Sequence, residues 1–238
     1  MIRTRSAALA LVPVLLLLLL VAGCGSAAKK PAVDKTASGP CTYTKDGSTA
    51  AKPVNLPPST PATTNPATMV ISTNSGDIPI TFDTAQAPCT INSFVSLAQQ
   101  GYFDNTNCHR LTTQGYYVLQ CGDPLGTGQG GPGYTFGDEL VQNDPRLQPC
   151  GTNQGQAYCT YTTGTIAMAN RGPDTNGSQF FLVYGNSRFP PDYTVFGHMD
   201  AAGLTVVKKI AAKGIGTASG MGPGDGAPKD PVTITSVK

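Results

Sequence analysis

Residues 166–181 read Ile166-Ala167-Met168-Ala169-Asn170-Arg171-Gly172-Pro173-Asp174-Thr175-Asn176-Gly177-Ser178-Gln179-Phe180-Phe181. A short apolar run enters, a turn rich in Gly, Pro, Asp and Asn follows, and a second apolar run leaves. A second dense segment runs from His109-Arg110-Leu111 to Val118-Leu119-Gln120-Cys121-Gly122-Asp123. Between them, Arg110, Gln120, Gln179 and Asn170 are planar hydrogen-bonding groups set beside an aromatic residue, Phe181. That combination suits recognition of a polypeptide backbone better than covalent chemistry.

The flanking sequence is mostly strand-like. Residues 69–73 and 78–82 alternate about Asn74-Ser75-Gly76-Asp77, which predicts a β-hairpin. Pro79 predicts an edge or a bulge within it. Short apolar runs at 117–119, 165–168, 180–184, 193–196 and 232–237 predict further strands. Two helices are expected, one at 88–100 and one at 201–213, the second with Asp200 as N-cap and Gly214 after its end. Many strands and two well-separated helices do not fit a βαβ repeat. They predict a mainly β domain, a closed antiparallel barrel with helices plugging its ends.

The chain has 238 residues, no Trp, 13% charged residues and a formal charge of +2. A nucleic-acid-binding domain would be strongly basic, so that class is excluded. The charge is unevenly placed. Residues 1–23 hold Arg3 and Arg5 and no acid, residues 24–65 hold five Lys against Asp34 and Asp46, and the remainder is acidic. Arg3 and Arg5 followed by the uncharged apolar run at 7–21 form an export signal too short to span a bilayer as a helix. Val21-Ala22-Gly23-Cys24 resembles a bacterial lipobox, which makes Cys24 the expected lipidation site. The expected location is the extracytoplasmic face of the cell membrane, held by acyl chains. Residues 24–65 contain six prolines and no apolar periodicity, and predict a disordered tether with a span of roughly 35–40 Å.

Export favours disulfides, and the six cysteines after Cys24 allow 15 connectivities. Cys150 and Cys159 share one polar loop, Cys108 and Cys121 fall on expected hairpin neighbours, and Cys41 and Cys89 remain. Several chemistries fail. Gly126-Thr127-Gly128-Gln129-Gly130-Gly131 matches a dinucleotide motif, but Pro132 and Gly133 leave no helix to receive a pyrophosphate. Cys108 and His109 are strand neighbours that point to opposite faces, so they cannot act as nucleophile and base. With two His and no C-x-x-C, zinc is not expected, and no other metal or cofactor is. Asp138-Glu139 reads as solvated or as a turn element.

At residues 166–181 the chain resembles the cyclophilin family of peptidyl-prolyl cis-trans isomerases. The resemblance extends over 66–238 and includes the loop Gly126-Thr127-Gly128-Gln129-Gly130-Gly131-Pro132-Gly133-Tyr134 and Thr194-Val195-Phe196-Gly197. It implies an eight-stranded closed barrel with two capping helices, acting on proline-containing polypeptides as a monomer without a cofactor. By position, it implies that Arg110 and Gln120 are catalytic. Tyr117 and Phe181 would form the aromatic wall of a proline pocket beside Val118. Ala169 and Asn170 would bind substrate backbone, Gln179 would orient Arg110, and Phe189, Pro190 and Tyr193 would form the rim. The stretch 111–116 is longer than usual, Phe189 brings no indole N–H, and 139–164 is an extended loop able to bind a partner or shield the site. Leu56-Pro57 and Thr60-Pro61 would lie within reach of that site as intramolecular competitors. The rival reading is a non-catalytic module that holds proline-containing chains in the same pocket. A third makes the cysteines a redox-sensitive lid.

Overall fold

The alternation at 69–82 forms β2 (Thr68–Thr73) and β3 (Gly76–Phe82) in a computed structural model that describes residues 39–61, 65–141 and 144–238. Asn74 and Ser75 make the turn, where Thr73 Oγ1 donates to the Gly76 carbonyl at 2.7 Å and accepts from Ser75 N at 3.0 Å. Ile71, Ile78, Ile80 and Phe82 point inward and are buried. Pro79 lies opposite Val70 in a strand that pairs on its other side only at 80–82, so its missing N–H interrupts no ladder. The expected leader at 1–23 and the lipid-bearing Cys24 lie outside the described residues.

The remaining elements, in chain order, begin with β1 (Tyr43–Lys45), α1 (Pro88–Gln99), β4 (Thr106–Asn107), β5 (Arg110–Thr112), β6 (Tyr117–Cys121) and β7 (Tyr134–Phe136). A 3₁₀ turn at Pro145–Leu147 leads to β8 (Cys150–Asn153), β9 (Gln156–Tyr161), β10 (Thr165–Met168), β11 (Phe180–Gly185) and β12 (Ser187–Phe189). The chain ends with β13 (Val195–Met199), α2 (Ala201–Ala212), β14 (Ile215–Ala218), β15 (Asp225–Pro228) and β16 (Thr233–Val237).

Eleven strands form one antiparallel sheet in the order β14-β15-β5-β6-β11-β10-β13-β3-β2-β16-β4. The run 106–112 pairs with β16 through Thr106 and Asn107 and with β6 through 110–112, so one short stretch of chain draws the two flanks of the sheet together and curls it. One side holds the main core, including Leu111, Leu119, Leu182, Ile166 and Phe196, with Phe94 of α1 and Val207 of α2 packed in. Burial of side chains of this size contributes about 1.5–3 kcal/mol each. Alternate residues on the same strands, among them Val118, Phe181, Val183 and Ala167, form a separate smaller apolar cluster. Helix α2 starts as its sequence predicts, with the Asp200 carboxylate accepting from Gly203 N at 2.7 Å.

Helix α1 starts differently. Ala87 at its N-cap supplies no side-chain acceptor, and the Glu139 carboxylate takes that role from fifty residues downstream. It accepts from Cys89 N at 2.9 Å and Thr90 N at 2.8 Å. The expectation of a solvated pair or a turn element at 138–139 is thus corrected for Glu139, which caps a helix. Burial pushes the Glu139 carboxyl above its usual range, partly opposed by those two N–H groups.

The expected disordered tether is corrected over 39–61. Cys41 is bonded to Cys89, and β1 pairs with β7 so that Tyr43 lies opposite Phe136. The Tyr43 hydroxyl donates to the Cys89 carbonyl at 2.8 Å and accepts from Asn92 at 2.9 Å, and burial raises its pKa to about 12. Farther along, Ala51 N donates to Gly131 O, Lys52 Nζ to Asp104 O, and Asn92 Nδ2 to Pro58 O. Backbone hydrogen bonds and a covalent bond order this strap, and neither leaves an apolar period in sequence. Pro57 is buried between residues docked on α1, which removes Leu56-Pro57 as a free competitor. The other two disulfides are Cys108–Cys121 and Cys150–Cys159.

Replacing both Cys41 and Cys89 by Ser should release the strap. The lost 48-residue closure is worth at most roughly 4 kcal/mol in a chain-entropy account. The expected result is a lower Tm and new proteolytic cuts confined to 39–61; an unchanged Tm with no new cuts would refute the docking.

Candidate active site

Register places the key residues in one row. Arg110 lies opposite Gln120, Gln120 opposite Phe181, and Phe181 opposite Ala167. The Arg110 guanidinium is fixed on three sides. Nε donates to Asp225 Oδ1 at 3.0 Å, Nη2 donates to Asp225 Oδ2 at 2.6 Å and to the Tyr116 hydroxyl at 3.0 Å, and Nη1 donates to Gln120 Oε1 at 3.3 Å. Hydrogen bonding to Asp225 is the main cause that raises the Arg110 pKa, against the opposing effect of burial. Burial works to raise the Asp225 carboxyl, but Arg110 and Ser219 outweigh it and hold the group below the usual carboxylate range. Asp225 is 115 residues from Arg110 and sits in no sequence motif, so sequence reasoning missed it.

Beside Arg110 is a cluster of aromatic rings. Phe181 lies 5.7 Å from Phe189 and 5.5 Å from Tyr193, and Phe189 lies 5.1 Å from Tyr116, all between ring centroids. Such separations are those of attractive edge and offset contacts. Val118 and Leu147 add aliphatic packing. Tyr117 is not in this wall. It is 37% exposed, faces Tyr184 at 5.9 Å, and Tyr116 occupies the expected place against Arg110 and Phe189. The longer turn before β6 explains the difference, because one residue of shift at a strand's start exchanges the faces of two adjacent tyrosines.

The extended loop at 139–164 folds as the β8-β9 hairpin, which pairs with β12 and carries Tyr161 in behind the pocket. Tyr161 is buried against Phe181, Phe189 and Tyr193, and its hydroxyl donates to the Pro190 and Tyr193 carbonyls at 3.3 and 3.2 Å. Sequence reading passed over it, although an aromatic residue at the end of an alternating run was a usable signal. Pro190 thus contributes its carbonyl, and Phe189 and Tyr193 contribute rings.

Gln179 does not touch Arg110 directly. Gln120 Nε2 donates to Gln179 Oε1 at 2.9 Å, and Gln179 Nε2 donates to the Gly128 and Gly130 carbonyls at 3.0 and 2.9 Å. The glycine loop is held from below by Asp123, whose carboxylate accepts from the N–H groups of Leu125, Thr127 and Gly128. Gly130 approaches so closely that an added Cβ would lie 1.9 Å from Asp123 Oδ1. Burial acts to raise the Asp123 carboxyl, yet the surrounding N–H groups together lower it. A cleft beyond this chain of amides is lined by Gln120, Ala169, Asn170, Gln179 and, from the strap, Asp46. Ala169 N donates to the Gln179 carbonyl at 2.9 Å, and Asn170 Nδ2 donates to the Asp192 carbonyl at 2.8 Å. Among the described residues no helix is long and apolar enough to cross a membrane.

A curled antiparallel sheet carrying an aromatic pocket with an arginine at its mouth has the makings of a site for a prolyl ring and its peptide bond. The model of the family described as cyclophilin type peptidyl-prolyl cis-trans isomerase/CLD matches residues 68–238, and the chain belongs to that family. It is 49% identical over 205 residues to the probable peptidyl-prolyl cis-trans isomerase B of Mycobacterium tuberculosis, covering 83% of this chain and 63% of that protein. The Mycobacterium leprae protein of the same description is 49% identical over 207 residues, 83% of this chain and 66% of that one. The chain thus spans slightly under two thirds of these relatives' length. A solved structure of a Cryptosporidium parvum cyclophilin type peptidyl-prolyl cis-trans isomerase superposes with a TM-score of 0.56 at 26% identity, over 72% of this chain and 95% of that one. The same protein in the presence of the dipeptide Ala-Pro gives 0.53 at 26% identity, over 71% and 96%.

Two outcomes follow from this geometry. Tyr116→Ala should weaken binding of an Ala-Pro peptide by about tenfold, as befits a lost aromatic contact, whereas Tyr117→Ala should change it less than about twofold. Titration calorimetry distinguishes them, and the reverse order would return Tyr117 to the wall. The lowered Asp123 pKa means its stabilisation is complete above the unfolded carboxylate pKa and is lost as pH falls through the folded value. Denaturant titrations from pH 7 to pH 2 should therefore show an acid loss of stability that is shallower in Asp123→Asn; equal slopes would remove Asp123 as a contributor.

Proposed function

We propose that this chain is a peptidyl-prolyl cis-trans isomerase acting on X-Pro bonds of exported or cell-surface polypeptides. The observation that carries the reading is Arg110, held by three partners beside the packed rings of Phe181, Phe189, Tyr193 and Tyr116. Rotation of an X-Pro bond faces a barrier of about 18–20 kcal/mol because the nitrogen lone pair is delocalised into the carbonyl. The pocket takes the pyrrolidine ring and excludes water. Arg110, always protonated, donates to the prolyl nitrogen as it pyramidalises and its lone pair localises. That hydrogen bond strengthens only in the transition state, which is what lowers the barrier rather than merely tightening binding.

An acceleration of about 10⁵ needs roughly 7 kcal/mol, and one charged hydrogen bond provides about 1.5–3. Fixation of the flanking peptide along Gln120, Ala169 and Asn170, together with desolvation, supplies the remainder. Neither a metal nor a covalent intermediate has a role in this chemistry.

On the same reading the run 106–112 acts as a single bent strand. With β6, β11, β10, β13, β3, β2 and β16 it makes eight staves of a closed barrel, and β14-β15 is an appended hairpin; the pairing order supports this. Anchoring by an acylated Cys24 and a spacer at 24–38 rests on the sequence pattern alone. It would place a monomeric enzyme on the outer face of the membrane.

A protease-coupled assay with a proline tetrapeptide tests the activity. Arg110→Ala should lose about 10- to 100-fold in kcat/KM, the equivalent of one charged hydrogen bond. Turnover within twofold of the parent would sink the assignment, and peptide binding without turnover by the parent protein would make it a binding module instead.

A further inference from the structure

A guanidinium has five N–H groups, and their directions can be counted here. Nε donates to both Asp225 oxygens, Oδ1 at 3.0 Å and Oδ2 at 3.1 Å. The two N–H groups of Nη2 go to Asp225 Oδ2 at 2.6 Å and to the Tyr116 hydroxyl at 3.0 Å. One N–H of Nη1 goes to Gln120 Oε1 at 3.3 Å. Four are therefore directed within the protein, and among the described hydrogen bonds none engages the fifth, on Nη1.

Asp225 is built to decide which one that is. Its side chain is 7% exposed, and its Oδ1 also accepts from Ser219 Oγ at 2.9 Å. The backbone around it is pinned, because β15 pairs with β5 so that Asp225 lies opposite Thr112 and Gly226 opposite Leu111. At Gly226 an added Cβ would lie 2.2 Å from the Thr217 carbonyl, so β14 and β15 are pressed together behind the carboxylate. A two-pronged acceptor on a rigid hairpin fixes the guanidinium plane as a single acceptor cannot.

We infer that Asp225 is the positioning residue of this site: it holds the Nε–Nη2 edge of Arg110 so that the remaining Nη1–H is the donor offered to the prolyl nitrogen. The inference rests on the reading of Arg110 as the catalytic donor. The Asp225 side chain is buried behind its pairing with Arg110, and its negative charge offsets part of the charge on Arg110, so its contribution is one of direction. Gln120 then sets the position of Nη1 from the other side, and Gln179 supports Gln120.

The test is a double-mutant cycle with the isomerase assay, using Asp225→Ala, Asp225→Asn and Arg110→Ala. The first should lower kcat by about tenfold with KM changed less than about twofold, since the donor is lost only where the transition state needs it. Asp225→Asn is nearly isosteric, keeps one acceptor and guards against misfolding; it should lose less. In the Arg110→Ala background neither change should lower the residual rate further, because a residue that acts through Arg110 has nothing left to position. A signal independent of turnover is the Arg110 Nε–H resonance, which should shift in Asp225→Asn while the backbone resonances of 215–228 stay in place. Full activity of Asp225→Ala would overturn the inference. So would an equal loss with and without Arg110, which would make Asp225 a brace for the hairpin. Normal turnover by Arg110→Ala alone would overturn the catalytic reading, and this inference with it.

Discussion

The site depends on one row of backbone pairing. Arg110, Gln120, Phe181 and Ala167 stand opposite one another on four adjacent strands, and Val195 continues the row on a fifth. The neighbouring row, Leu111, Leu119, Leu182 and Ile166, is buried in the main core. Side chains alternate with a period of two, so a slip of one residue on any of these strands would exchange the rows. It would put an arginine and a glutamine among leucines and take the leucines out of the main core. The burial that stabilises the sheet is therefore the same constraint that aims the polar groups at the pocket.

Three additions brace that row from different directions. The β14-β15 hairpin supplies Asp225 beneath the guanidinium, the β8-β9 hairpin supplies Tyr161 behind the rings, and the strap at 39–61 supplies Asp46 to the wall of the neighbouring cleft. Each is held by more than packing. Asp225 is hydrogen-bonded to Ser219, the β8-β9 hairpin is cross-linked by Cys150–Cys159, and the strap is cross-linked by Cys41–Cys89 and paired through β1 and β7. Arg146, in the 3₁₀ turn before the β8-β9 hairpin, ties the extended loop back to the domain, bridging Asp144 and Asp83 at 2.6 and 2.5 Å. A pocket made of side chains from separate loops keeps its shape only if the loops are fixed, because a displacement of even an ångström at the reacting groups is costly.

What could be read in the sequence was whatever local chemistry determines. The β2-β3 hairpin follows from alternation about a two-residue turn, and α2 follows from Asp200 and the apolar positions behind it. Arg110, Gln120, Phe181 and Gln179 were legible because they sit in dense motifs. What escaped was long-range. Glu139 reaches back fifty residues to cap α1, and Asp225 reaches back 115 to hold Arg110, and neither contact leaves a local signature. The prolines and polar residues of the strap predict disorder because they cannot build a core. Its order comes instead from backbone hydrogen bonds to residues whose positions are set elsewhere. Tyr116 and Tyr117 differ in no property a sequence carries, and only the course of the turn before β6 decides which ring faces inward.

The Arg110–Asp225 pair raises a question of charge. If an arginine assists by stabilising a developing lone pair, the charge of a carboxylate at 2.6 Å opposes it. The alternative is worse. A guanidinium placed over the Tyr116 ring with no partner would carry a desolvation cost of several kcal/mol and would swing out to water. Pairing keeps it in place, and the pairing is one-sided: Asp225 takes the Nε–Nη2 edge and leaves Nη1 to Gln120. A lysine could not divide its roles in this way, because its three equivalent donors rotate about one axis. The planar fork lets one edge be neutralised while the other stays directed, and a hydrogen bond that forms fully only at the transition state needs direction more than net charge.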